Sequence, residues 1–395
     1  MTSAEVAHFP AEPRANWMGT DMDALLLWAC EIGASDICVT SGQPAWVRVH
    51  GQWIAATRRP VSDTDAGTVL GHIARNPATA GMVRAGRPAD IGYDIVVDRM
   101  TRRRFRGNAT AVRTDGGTGT TMVLRTIPDA PPELDRLNVD QGILDAAFPT
   151  AGLVLITGVM GSGKTTLLAA IMRRIIETQP RHITTYEEPI EFDFSAVENP
   201  MGPVCQSAVP EHIDAFHNAP RNAARRASDI ILVGESRDAE TLRGMIETAE
   251  MGVAAYSTVH TRSVEETPAR IINVFPATER QGIATTMAYA LRLIVQQRLV
   301  PHASGTGRVA LREFVALSQS MRGDLANAEY PRYTSMIREM CAKHGQTLLQ
   351  DAERKFNEGL ISKDVYRDIK TEKEVDAGNA DPGDAGDEEH LRVIS

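Results

Sequence analysis

The chain has 395 residues, 43% of them hydrophobic and 24% charged, with 42 Lys+Arg against 51 Asp+Glu and a formal net charge of −9. These proportions are globular and exclude collagen, simple coiled coil and wholesale disorder, and the length suits about two or three domains. Eight acids and two bases fall within 371–395, so the rest of the chain is only −3 and has no basic excess to drive electrostatic binding of nucleic acid.

Residues 1–20 read as an N-terminal extension without the apolar segment of a signal peptide. All four tryptophans (Trp17, Trp28, Trp46, Trp53) lie in the first 53 residues, which marks a separate module. Leu25, Leu26, Ala29 and Ile32 share one helical face, and Gly33 is a natural C′ residue. Alternation at Ile37/Val39 and Val47/Val49, with Gly51 at a turn, predicts strands, and a second strand block covers 92–97, 104–112 and 121–125. The result is a small α+β domain over 21–126. Pro128, Pro131 and Pro132 then deny a helix, so 127–137 reads as a semi-rigid linker.

From Gly152, short apolar strands (152–157, 182–186, 229–234, 253–259) alternate with helical segments. That is the pattern of a parallel α/β sheet with crossover helices, and it falls in a domain of 138–345. After Arg280 the pattern reads as helical, with Ile283, Met287, Ile294 and Leu299 spaced for one face. Gly359 and Ser362 separate and start helices in 346–370. The segment 371–395, acidic and without aromatics, reads as a disordered tail. No apolar run approaches the ~18 residues of a membrane span. Cys30, Cys38, Cys205 and Cys341 are too scattered for a disulfide framework or zinc knuckle, so a soluble cytoplasmic protein is expected.

The strongest chemical signal is Gly158-Val159-Met160-Gly161-Ser162-Gly163-Lys164-Thr165, a GxxxxGK[ST] pattern between the apolar strand Leu153–Ile156 and a helix carrying Leu167, Leu168, Ile171, Met172, Ile175 and Ile176. Its glycines let backbone N–H groups turn inward around phosphate oxygens, at a helix N-terminus that adds partial positive charge. Gly158, Met160, Gly161, Ser162, Gly163, Lys164, Thr165 and Thr166 are therefore the expected ATP-binding residues. Lys164 would bridge the β- and γ-phosphates, and the Thr165 hydroxyl would ligate Mg²⁺.

Three more strands end in polar residues at the same edge, where ligands of parallel sheets sit. Glu187 and Glu188 follow the strand 182–186, and a carboxylate there can orient a water toward the γ-phosphate. Glu235 follows 229–234 and suits either Mg²⁺ coordination or water positioning, whereas Asp229 stands at the remote strand start. His260 follows 253–259 as a candidate γ-phosphate sensor. Arg221 and Arg225 stand at i, i+4 on a helix, and Arg102, Arg103, Arg104 and Arg106 surround Phe105. Either group could be ordinary ion pairing, or arginines that offset transition-state charge from another domain or subunit. The second group could also touch nucleic acid, although one aromatic makes a thin stacking platform.

Taken together, Gly158–Thr165, Glu187-Glu188-Pro189-Ile190-Glu191, Ile231–Glu235 with Arg237-Asp238, and Thr258-Val259-His260-Thr261 resemble the motifs of the type II/IV secretion ATPase superfamily, and most narrowly its pilus-retraction (PilT-like) branch. Gly33–Asp36, Arg104–Arg106, Arg125–Pro128 and Val274–Pro276 extend the resemblance over roughly residues 22–300. It implies a PAS-like α+β N-terminal domain joined to a RecA-like P-loop domain with C-terminal helices. It further implies a cytoplasmic homohexameric ring that hydrolyses ATP between its two domains and docks onto inner-membrane secretion or conjugation proteins, with no membrane span and no direct nucleic-acid binding. It carries over Glu187 as the catalytic glutamate, Glu235 as the Walker B glutamate, His260 as the second histidine of the family's His box, and Arg104, Arg113, Arg221 and Arg225 as arginines that approach the phosphates. Val253 stands where the first His-box histidine belongs, which implies the loss of one sensor. Leu311-Arg312-Glu313-Phe314 and Glu358–Ser362 are more similar to the DotB/TraJ-type ATPases of type IVB (Dot/Icm-like) secretion and conjugal transfer. A pilus-retraction motor is the alternative. An ATP-loading scaffold is disfavoured by the two strand-end glutamates, and a DNA translocase by the near-neutral body.

Overall fold

The computed structural model describes residues 8–378 apart from Arg14, His50, 99–101, 128–129 and Arg237, with side chains described as far as Glu372. Pro128 of the expected linker, Arg237 beside the third motif and 379–395 of the expected tail lie outside the described residues. The chain divides into two compact units. One comprises Met1–Leu137, Ala169–His182 and Glu187–His212, and the other Asn138–Leu168, Ile183–Tyr186 and Ile213–Ser395.

The first unit begins with α1 (Gly19–Glu31), whose Met22, Leu25, Leu26 and Ala29 are buried. It stops at Ile32, and Gly33 at φ +71° takes the left-handed C′ conformation that a side chain would resist. Then follow β1 (Ala34–Thr40), β2 (Trp46–Val49), β3 (Gln52–Ala55), α2 (Asp63–Ile73), α3 (Thr79–Arg84), β4 (Ala89–Val96), β5 (Arg102–Thr114) and β6 (Gly117–Ile127). The strands form one antiparallel sheet in the order β3-β2-β1-β6-β5-β4. Ile37, Val39, Phe105, Met122 and Leu124 face a common core with α1 and α2. Phe9 and Trp17, from the stretch before residue 21, join it. The sequence reading passed over α2 and α3. Ser62 nevertheless caps α2 by accepting a bond from the Asp65 N–H at 3.1 Å, and Ala66, Val69, Leu70 and Ile73 make its buried stripe. This unit has the PAS-like α+β fold.

Beyond it come α4 (Gln141–Ala146), β7 (Gly152–Thr157), α5 (Lys164–Thr178), β8 (Ile183–Glu187), β9 (Val204–Ala208), α6 (Ala219–Arg225), β10 (Ile230–Val233), α7 (Ala239–Glu250), β11 (Ala254–Val259), α8 (Glu266–Ile272) and α9 (Arg280–Ala290). The chain ends with β12 (Leu291–Pro301), β13 (Arg308–Ala316), α10 (Gln319–Ala326), α11 (Tyr333–His344), α12 (Leu348–Asn357) and α13 (Lys363–Gly378). The second unit's strands lie in the order β13-β12-β7-β11-β10-β8. All neighbours are parallel except β12 with β13. β7, β10 and β11 are buried along their whole length, as strands covered on both faces must be. This is the RecA-like fold, with helices at its C-terminal end.

One expectation is corrected. Ile294 and Leu299 lie not on a helix but on β12. A short apolar run such as Leu293–Val295 reads alike as buried strand or buried helix, and here pairing decides: Ile294 stands between Leu155 of β7 and Val315 of β13. Ile294 is fully buried. Ile294→Ala is therefore expected to cost about 2–5 kcal/mol, read as a lowered urea midpoint for this unit. A loss within error of zero would contradict the packing. A second correction concerns the expected tail from residue 371, because α13 continues through Gly378.

Candidate functional site

β7 delivers the phosphate loop. Gly158, Gly161 and Gly163 have φ of +146°, +75° and +83°, which turns the chain through conformations closed to most side chains. Space is also restricted, since a Cβ on Gly158 would lie 2.4 Å from the Gln297 carbonyl oxygen and one on Gly163 would lie 2.8 Å from Gln297 Nε2. The helix α5 begins directly at Lys164. Lys164 is buried, and its Nζ donates to the carbonyls of Gly158 at 2.8 Å and Val159 at 3.0 Å. Thr165 and Thr166 are half-buried in the first turn of the helix, whereas Met160 is 88% exposed and makes no wall of the loop.

The neighbouring strands end level with this loop. Leu155 of β7 pairs with Ser257 of β11, which pairs with Val233 of β10, which pairs with Tyr186 of β8. Glu235 is set by a clamp on the residue before it: the Gly234 N–H donates to Tyr186 O at 2.8 Å, and Thr258 Oγ1 donates to Gly234 O at 2.6 Å. His260 joins the acid to the lysine. Its Nε2 lies 3.0 Å from Glu235 Oε1 and its Nδ1 lies 3.5 Å from Lys164 Nζ. An ammonium only donates, so Nδ1 is the accepting nitrogen and Nε2, on the side of the carboxylate, carries the proton. Lys164, His260 and Glu235 thus form one line at the strand ends.

Glu187 closes β8. It is 6% exposed, while Glu188 is exposed, so the two acids diverge and only the first is held in place. Glu187 Oε1 accepts from Gln206 Nε2 at 3.1 Å. Gln206 is itself fixed, because Nε2 donates to Phe192 O at 3.0 Å and Oε1 accepts from the Phe194 N–H at 2.7 Å.

Arg221 and Arg225 are exposed on α6, and neither side chain makes a hydrogen bond or ion pair among the described residues. Arg104 is half-buried, 4.0 Å from Asp193, and Arg106 pairs with Glu191 at 3.1 Å. Arg113 is exposed on β5. Phe105 is 1% exposed in the first unit's core, so it offers no stacking surface to a nucleic acid. Val253 precedes β11 and His260 follows it, so the position expected to hold a sensor lies at the opposite end of the strand. At ~3.3 Å per residue that is roughly 20 Å away, and a histidine there would be remote from this edge.

Sequence reasoning missed Gln206 and Gln297. The signal for Gln297 was present as the polar Gln296-Gln297-Arg298 between the apolar Leu293–Val295 and Leu299-Val300. Gln206 carries no such mark.

Comparison with known proteins yields a family model, Type II/IV secretion system protein, matching residues 117–375. A twitching motility protein of Neisseria gonorrhoeae is 31% identical over 339 residues, covering 84% of this chain and 87% of that protein. The crystal structure of the Legionella pneumophila ATPase DotB is 37% identical with a TM-score of 0.84, covering 93% of this chain and 99% of that one. The pilus retraction motor PilT with bound ADP is 28% identical with a TM-score of 0.74, covering 87% and 94%.

Proposed function

Because this chain belongs to the type II/IV secretion system protein family, and is an ATPase of it, we propose that it is a homohexameric motor that powers a type IV (Dot/Icm-like) secretion or conjugal-transfer apparatus. The observation that carries the hydrolytic part is the line of Lys164, His260 and Glu235 beside the phosphate loop. The greater identity to DotB than to PilT favours the secretion assignment. A second reading, a pilus-retraction motor, is favoured by the twitching motility relative, and restoration of twitching in a strain lacking its retraction ATPase would decide for it.

In this reading the loop's N–H groups and Lys164 hold the β- and γ-phosphates. Thr165 and Glu235 would supply a hydroxyl and one carboxylate to a Mg²⁺ ion, a donor set suited to that ion, which would neutralise phosphate charge when bound. Glu187 orients a water. Its oxygen attacks the γ-phosphorus, the bridging P–O bond breaks with its electron pair leaving on ADP, and the water's proton passes to the Glu187 carboxylate. His260 registers the γ-phosphate from its place between Lys164 and Glu235. Arg221 and Arg225, exposed and without ion pairs among the described residues, are offered to the phosphates of a neighbouring copy, as are Arg104 and Arg113.

No helix among the described residues is long and apolar enough to cross a membrane, so attachment at an inner membrane would run through partner proteins. With Mg²⁺ and a non-hydrolysable ATP analogue, the native mass should reach six times the 43.0 kDa chain. A monomer or dimer under that condition would leave the exposed arginines nothing to act on, and the ring would be abandoned.

A further inference from the structure

The side chain of Gln297 on β12 touches the phosphate loop, and nothing in the loop's own motif accounts for it. Its Nε2 donates to Ser162 O at 2.8 Å, across 135 residues of sequence. Its Oε1 accepts from Arg312 Nε at 2.8 Å. The two bonds fix each other. A guanidinium only donates, so the amide oxygen must face Arg312 and the NH₂ must face the loop carbonyl. Turned over, the amide would set donor against donor and oxygen against oxygen.

Arg312 has little freedom to turn away. It is 2% exposed, its Nη1 donates to Asn138 O at 2.8 Å, and its backbone N–H donates to Asp351 Oδ2 on α12 at 2.7 Å. Asp351 is fully buried and also holds Lys355 Nζ at 2.7 Å, while Arg354 bridges Asp351 and Asp140. Burial disfavours the charged form of Arg312, and the nearby Asp140 and Asp351 carboxylates oppose that effect. A charge this deep stays only where its partners are complete. The chain of contacts therefore runs from a C-terminal helix, through Arg312 and Gln297, to one peptide of the phosphate loop.

That peptide matters because it is planar and trans. Its carbonyl belongs to Ser162 and its N–H to Gly163, and the two point in opposite directions. Holding the carbonyl toward Gln297 aims the Gly163 N–H away from β12. We propose that Gln297 is a positioning residue for the phosphate loop, oriented by Arg312 and anchored through Asp351, so that the seating of α12 is expressed as nucleotide affinity. This rests on the reading of Gly158–Thr165 as the phosphate site.

The test uses the full chain and two readouts: titration of a fluorescent methylanthraniloyl ADP, and ATP hydrolysis resolved into KM and kcat. Gln297→Ala should weaken binding and raise KM about tenfold, the loss of one buried hydrogen bond. Its kcat should stay within about twofold, because Lys164 and Glu187 are untouched. Gln297→Glu separates positioning from packing. It can still accept from Arg312 but cannot donate to Ser162 O, so it should stay folded through its Arg312 bond and lose at least as much affinity. Arg312→Met should lose a similar amount, and combining it with Gln297→Ala should add little, since both cut the same relay. Should Arg312→Met fail to fold, Gln297→Glu carries the test alone. Binding by Gln297→Glu as tight as that of the unaltered protein would overturn the inference while leaving the ATPase reading intact. No binding by the unaltered protein would remove both.

Discussion

Lys164→Ala is expected to lower ATP turnover by at least ~10²–10³-fold, the scale seen when one preorganised donor to developing charge is removed. Lys164 is the cation that the loop itself holds, 2.8 and 3.0 Å from two of the loop's carbonyls and within reach of His260. Removing it takes away the positive charge that would meet the β- and γ-phosphates, and it deprives His260 Nδ1 of a donor. Nucleotide affinity should fall with it, because ionic hydrogen bonds are worth about 1.5–3 kcal/mol each. The fold should survive, since the apolar side of α5 (Leu167, Leu168, Ile171, Met172, Ile175) is unaffected. A variant with an unchanged melting temperature and turnover within tenfold of the unaltered protein would refute the assignment.

The second large effect separates binding from chemistry. Glu187→Gln keeps the shape of the side chain and an oxygen to accept from Gln206 Nε2, so β8 and the 192–194 loop should stay in place. What is lost is the negative charge that takes the water's proton. Hydrolysis should fall by ~10²–10⁴-fold, the usual worth of a positioned general base. The dissociation constant for the nucleotide should change by less than about threefold, and the two measurements together are the test. Undiminished turnover would transfer the role to another group, and Glu235 is the nearest alternative in kind.

The parts of this architecture that were legible in the sequence are those written locally. A buried apolar strand, three glycines, a lysine and an amphipathic helix are contiguous, so the loop and α5 could be read without the fold. Gly33 and Gly359 likewise mark helix ends through their own positive φ. β12 was misread for the opposite reason. Leu291–Pro301 has no alternation, because strands on both sides and layers on both faces bury nearly all of it. Only the partner strands, far away in sequence, say that it is extended.

The site divides in the same way. Lys164 could be named from the glycine-rich motif, and Glu187, Glu235 and His260 from strand-end position. The amides that hold two of these elements in place, Gln206 on Glu187 and Gln297 on Ser162, act across 19 and 135 residues and leave no motif. Strand-end position alone left Glu187 and Glu188 equivalent; the resemblance picked out Glu187, and in the structure Glu187 is buried and Glu188 exposed.

The bonds from Lys164 to Gly158 O and Val159 O bear on how the catalytic cycle ends. Phosphate oxygens that engage this ammonium take over a hydrogen-bonding role the loop can fill itself, so capture is an exchange of acceptors and not a net addition. The same exchange runs backward when ADP departs. As the product lets go, the two carbonyls receive the ammonium again, and the cation is never stranded in a buried site. A motor must shed its spent nucleotide once per stroke, and a built-in substitute acceptor stabilises the emptied site relative to the loaded one, at the cost of some grip on the fuel.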